Sequence, residues 1–98
     1  MSTKVRIAES AEYDLESIAD YIGLDSPSNA ANFVRDVLEQ CYRLAEFPGR
    51  HPIVDGYSRP LRRFPFRGYS IYYLASEGLI EVVHILNDAR DHRDILAN

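Results

Sequence analysis

The sequence predicts an α+β fold, β-α-α-β-β-β, with a two-helix hairpin packed on one face of a mostly antiparallel four-stranded sheet. Three observations lead there. The stretch from Arg59 to Arg93 holds three runs rich in aromatic and β-branched residues, Leu61–Phe66, Tyr69–Ala75 and Ile80–Leu86. The runs are separated by Arg67-Gly68 and by Ser76-Glu77-Gly78-Leu79, each gap supplying one glycine for the positive φ that a hairpin turn requires. Two helix-period apolar patterns precede this meander, and a chain of 98 residues forms one domain, 1–98, around a single core.

Taken in order, Lys4-Val5-Arg6-Ile7 alternates at period two, which predicts a short strand with Val5 and Ile7 buried and its charged alternates suited to a sheet edge. Ser10 stands where an N-cap would, followed by an apolar stripe of Ala11, Leu15, Ile18, Ala19 and Ile22. Glu12, Asp14 and Glu16 crowd the first turns, where the helix dipole favours negative charge, and Gly23 is expected to end the helix. A second helix begins at Ser26-Pro27, a serine N-cap with proline at the first helical position. Its apolar face runs through Ala30, Phe33, Val34, Val37, Leu38, Cys41, Leu44 and Ala45 until Pro48-Gly49 stops it. The short connection predicts an antiparallel hairpin. Three prolines and two glycines among residues 48–60 then predict an irregular surface loop of the kind that carries binding.

Composition narrows the function classes. Hydrophobic residues are 46% and charged residues 27%, which excludes a disordered or fibrous chain. The lone Cys41 cannot bridge internally, and no stretch approaches the roughly 20 apolar residues of a membrane span, so a cytoplasmic protein without membrane contact is expected. The charge is uneven. Residues 1–49 carry four basic and nine acidic side chains, whereas residues 50–70 carry five arginines against Asp55 alone. A basic sheet side and an acidic helical side follow, with partners of opposite sign on each. A net charge of −4 and a pI near 5.2 argue against direct nucleic-acid binding.

The segments SAEYDLESIADYI, SPSNAANFVRDVLEQCYRLAEFPGR, PLRRFPFRGYSIYYLASEGLIEVVHIL and the terminal ARD together resemble toxins of the ParE/RelE superfamily from type II toxin–antitoxin modules, and the ParE branch above all. The resemblance implies a toxin neutralised by a cognate antitoxin, ParD-like or other, that wraps it with its C-terminal segment. For ParE-like members it implies DNA gyrase as the target; for RelE-like members, ribosome-dependent mRNA cleavage. Two positions depart from the pattern: Asn87 stands where relatives often carry histidine, and His84 where arginine is common.

Metal-free RNA cleavage needs groups to deprotonate the 2′-hydroxyl, stabilise the charged phosphorane and protonate the leaving oxygen. RelE-like toxins, by the same resemblance, use lysines, arginines and a C-terminal tyrosine. Here the only lysine is Lys4, Ser70 replaces the arginine after Gly-Tyr, and no tyrosine follows Tyr73. Arg63 and Arg90 alone remain at corresponding places. The cluster of His84, Asp88, Asp91 and His92 has no standard metal-ligand spacing and reads as a polar strand end. No catalytic residue, metal or cofactor is therefore expected.

Binding to antitoxin or target is assigned instead to Arg59, Arg62, Arg63, Arg67, Tyr72, Tyr73, His84, Arg90 and Arg93. Arginine makes bidentate contacts with carboxylates, and consecutive Tyr72 and Tyr73 point to opposite faces, so one is expected on a bare sheet face as an interface anchor. Such a face would also allow a homodimer when the toxin is free. The runner-up functions are a RelE-type ribonuclease and a toxin-fold protein that only binds antitoxin.

Overall fold

In the computed structural model, which describes residues 2–97, the chain runs β1 (Lys4–Ile7), α1 (Glu9–Gly23), α2 (Pro27–Arg43), β2 (Arg62–Phe66), β3 (Tyr69–Ser76), β4 (Leu79–Asn87) and a short α3 (Arg93–Leu96). The strands lie in the order β1-β4-β3-β2. The β2–β3 and β3–β4 pairs are antiparallel, while β1 joins β4 in parallel, Val5 opposite Ile80 and Ile7 opposite Val82. Lys4 and Arg6 remain exposed on that edge, as the alternation predicts.

Both hairpins close through two-residue turns. Arg67 and Gly68 take φ of 50° and 80°, the doubly left-handed turn that matches strand twist. Gly78 takes φ of 76° at the second turn, so pairing there extends outward to Ser76 and Leu79. In the middle of the β3–β4 ladder Tyr72 pairs with His84 but Tyr73 pairs with Val82, which leaves Val83 as the extra residue of a bulge.

The helices cover one sheet face. Ala11, Leu15, Phe33, Val37, Cys41 and Leu44 meet Ile71, Tyr73, Ile80, Val82 and Ile85 in the main core. Ser26 caps α2 by accepting from the Asn29 N–H at 3.2 Å, worth about 1 kcal/mol, with Pro27 opening the helix.

The start and end of α1 differ from the sequence expectation. The N-cap is Ala8, without a side-chain cap, because the Ser10 hydroxyl donates instead to the Val83 carbonyl at 2.6 Å and ties the helix to the bulge. Gly23 remains helical, and the last turn is closed by the Leu24 N–H. The loop after α2 is also less irregular than its prolines suggest. Ile53 bridges to Arg62, with the Val54 N–H donating to the Leu61 carbonyl at 2.8 Å, so part of the loop shields the β2 edge.

Candidate functional site

The second face of the sheet carries its own apolar cluster. Leu61, Tyr72 and Leu86 are buried there, with Val54, Tyr57, Leu74, Val83, Ile95 and Leu96 packed around them. Tyr72 is only 4% exposed and Tyr73 is fully buried in the main core. The expectation of a bare tyrosine is corrected: the strand alternation does send the pair to opposite faces, but the loop and α3 fold back over Tyr72. What stays open is a groove of about 500 Å³ along β4. Leu61, Leu74, Val83, Ile95 and Leu96 form its apolar lining, and Tyr57, Arg59, Glu81 and His84 its polar one. Glu81 is held on the rim by Arg6 at 3.1 Å and Arg59 at 3.8 Å.

Beside the groove the polar side chains of this face engage one another. The Arg63 Nε–H donates to the Ser70 hydroxyl at 2.7 Å, and that hydroxyl donates to Asp88 Oδ1 at 2.5 Å. Arg63 also faces Asp88 directly at 3.6 Å. Ser70 is fully buried, so its hydroxyl needs both partners.

Next to this relay, Tyr72 Oη lies 2.7 Å from His92 Nδ1, and His92 Nε2 lies 2.6 Å from the Asn87 carbonyl. A carbonyl only accepts, so Nε2 carries the proton; in the neutral ring Nδ1 then accepts from the Tyr72 hydroxyl. Burial pushes the Tyr72 phenol above its ordinary pKa, opposed by hydrogen bonding to Ser70 and the charge of Arg63. It is a neutral donor at physiological pH.

The structure brings Arg59, Arg63 and Tyr72 together on the second face, with Arg93 at the start of α3, where it is paired to Asp91 at 3.2 Å. It brings His84 to the end of the groove as well, and not the other assigned residues. Arg62 lies on the helix side and donates to the His51 carbonyl at 2.7 Å. Arg67 reaches Asp36 of α2 at 2.9 Å and covers the Phe66 ring. The Tyr73 hydroxyl donates to the Pro48 carbonyl at 2.9 Å, which makes it a pin for the loop. Arg90 lines a different depression with Tyr13 and Tyr21 of α1. His84 binds Asp14 of α1 at the groove's end.

Sequence reasoning missed Leu74, Val83, Ile95 and Leu96 as groove residues and His92 as the partner of Tyr72. A signal existed for the tail: Ile95-Leu96 is an apolar pair in an otherwise polar ending. Among the described residues no group of three or more histidine, cysteine or acidic side chains is placed to hold a metal ion. No helix is long and apolar enough to cross a membrane.

Comparison with known proteins places this architecture. A family model described as the ParE toxin of the type II toxin–antitoxin system parDE matches residues 5–92. Toxin RelE2 of Caulobacter vibrioides is 35% identical over 77 residues, which span 79% of this chain and 85% of that protein. A solved structure from the chromosomal ParDE toxin–antitoxin system of P. aeruginosa shares the fold. Its TM-score is 0.70 at 22% identity, over 88% of this chain and 96% of that one. The chain belongs to the ParE toxin family, within the ParE/RelE type of toxins from type II toxin–antitoxin modules.

Proposed function

We propose that this toxin acts without catalysis, by binding and poisoning DNA gyrase, and that a ParD-like antitoxin neutralises it by laying an apolar segment along the β4 groove. The observation that carries the non-catalytic reading is the mutual engagement of the polar groups on the sheet's second face. Arg63, Ser70 and Asp88 form one closed relay, and Tyr72, His92 and the Asn87 carbonyl another. General acids and bases must reach the substrate, and Tyr72 is almost wholly covered. The groove suits the antitoxin because its floor is aliphatic while Arg59 on its rim offers a guanidinium to an acidic peptide. In the cytoplasm the same groove, unfilled, would let the free toxin pair with a second copy.

A RelE-type ribonuclease is the second reading. The placement of Arg63 on the same face as the Tyr72–His92 pair favours it, since a guanidinium beside an imidazole could serve phosphoryl chemistry if α3 moved away. Two assays with the purified toxin separate the readings. Gyrase supercoiling should be inhibited while cell-free translation proceeds; blocked translation with intact supercoiling would reject the gyrase reading.

A further inference from the structure

The corner where α2 runs into the loop is built differently from the rest of the surface. Helix α2 ends at Arg43, and Leu44 turns into the core. The turn through Pro48-Gly49 then leaves the Phe47 ring 67% exposed. Beside it Arg43, Glu46, Phe47, Arg50 and His51 line a notch of about 140 Å³, none of whose lining residues belongs to the β4 groove.

The backbone here is fixed. The Tyr73 hydroxyl holds the Pro48 carbonyl at 2.9 Å, and Arg62 Nη1 donates to the carbonyls of His51 at 2.7 Å and Gly49 at 3.4 Å. The Arg50 N–H closes onto the Phe47 carbonyl at 3.0 Å, and the His51 ring stacks on Phe64 at 4.2 Å. An aromatic side chain presented on a fixed backbone loses little entropy when it docks.

The charge is as distinctive as the ring. Arg6, Arg35, Arg59, Arg63, Arg67 and Arg93 each meet a carboxylate within 4.0 Å. Among the described residues Arg43, Arg50 and Arg90 do not; Arg90 lies in a different depression, and at this corner Glu46, the carboxylate lining the notch, makes no ion pair with Arg43 or Arg50. Arg62 beside them donates to two backbone carbonyls and, among the described residues, meets no carboxylate. Burial, with the charge of Arg50, holds the His51 imidazole below its ordinary pKa. In a chain of 15 acidic and 11 basic residues, this corner is a locally positive patch with a protruding phenyl ring.

We propose that this corner docks an acidic polypeptide, separate from whatever fills the β4 groove, with one of its carboxylates entering the notch lined by Arg43 and Arg50 and an apolar depression receiving Phe47. Arginine forks match carboxylates bidentately, and arginine and aromatic residues are the usual energetic centres of protein interfaces. A nucleic-acid strand fits less well. Its charge repeats along its whole length and would meet the net −4 of the chain beyond the corner, whereas a peptide can carry its few carboxylates where they are received.

The test is an NMR titration of the isotope-labelled full chain. The probes are a short peptide alternating glutamate and leucine, its lysine-for-glutamate counterpart, inorganic phosphate and oligothymidylate. The glutamate peptide should shift the signals of Arg43, Phe47 and Arg50. Its affinity should fall about tenfold or more in Arg50→Glu and in Phe47→Ser, with the folded spectrum retained, and stay unchanged in Val83→Glu within the groove. Rescue of part of the affinity by Arg50→Lys would support the charge contact. Equal binding of the lysine peptide, tighter binding of phosphate or oligothymidylate, or shifts confined to the groove would overturn the proposal. Corner signals that broaden with protein concentration alone would overturn it in favour of a second copy of this chain.

Discussion

Asp14 of α1 and His84 of β4 meet at 2.7 Å, and the same carboxylate oxygen accepts the Ile85 backbone N–H at 3.0 Å. Because a carboxylate only accepts, His84 Nδ1 is the donor. The contact lies just past the end of the β1–β4 pairing, whose last pair is Ile7 opposite Val82, so this edge of β4 has no strand partner and Asp14 supplies the acceptor that β1 does not. Asp14→Ala should lower stability by about 2–3 kcal/mol, since it strands a largely buried N–H as well as the imidazole. Asp14→Asn, which keeps an acceptor, should cost roughly half as much. Urea unfolding followed by circular dichroism measures both; equal stability of all three proteins would remove the structural role given to Asp14.

A charge placed in the groove should separate toxin from antitoxin. Val83 is half-buried on the groove floor, and Val83→Glu should weaken antitoxin binding by roughly a hundredfold or more, because the carboxylate would be desolvated beneath an apolar segment. Titration calorimetry with the cognate antitoxin reads this directly. Unchanged affinity would move the antitoxin to another face.

Cys41 is fully buried in the main core, and burial pushes its thiol pKa up to about 12. The thiolate is the reactive form, so the native protein should resist aromatic disulfide reagents near pH 8 and label fully once unfolded in urea. Fast labelling of the native protein would mean that α2 opens locally.

Alkaline pH should unfold the protein through two tyrosines. Burial raises the phenol pKa of both Tyr72 and Tyr73, so the folded state holds their protons more tightly than the unfolded chain. Their contribution is complete below about pH 10, the unfolded value, and is lost as pH rises through the higher folded values. Urea midpoints should therefore be level up to about pH 9.5 and fall beyond it. Tyr72→Phe should lower stability by about 1 kcal/mol through loss of the His92 bond and flatten part of that alkaline fall.

The helical hairpin, the meander and its turn residues were legible because each depends on local chemistry: period 3.6 or 2, Ser26-Pro27 at a helix start, glycine at Gly68 and Gly78. What the sequence could not convey depended on contacts between distant segments. Nothing in Lys4–Ile7 names β4 as its parallel partner. Ser10 has the chemistry of a cap, and only the nearness of the Val83 carbonyl diverts it. Tyr72 was expected in the open for the same reason. Its cover comes from Ile95 and Leu96 in a four-residue helix, too short to show any periodicity. The five arginines of residues 50–70 were visible as a charge excess, but their distribution over different faces depends on strand register and loop course.

The pairing of β1 with β4 joins the first strand of the chain to the last, with Lys4 opposite Leu79 and Ile7 opposite Val82. During translation, then, β1 waits for a neighbour that is made only after both long helices, β2 and β3, at about 5–20 residues per second. A product stopped before β4 lacks the inner strand that β1 and β3 share, so β1 is left without its neighbour, β3 is paired on one side only, and the sheet cannot close.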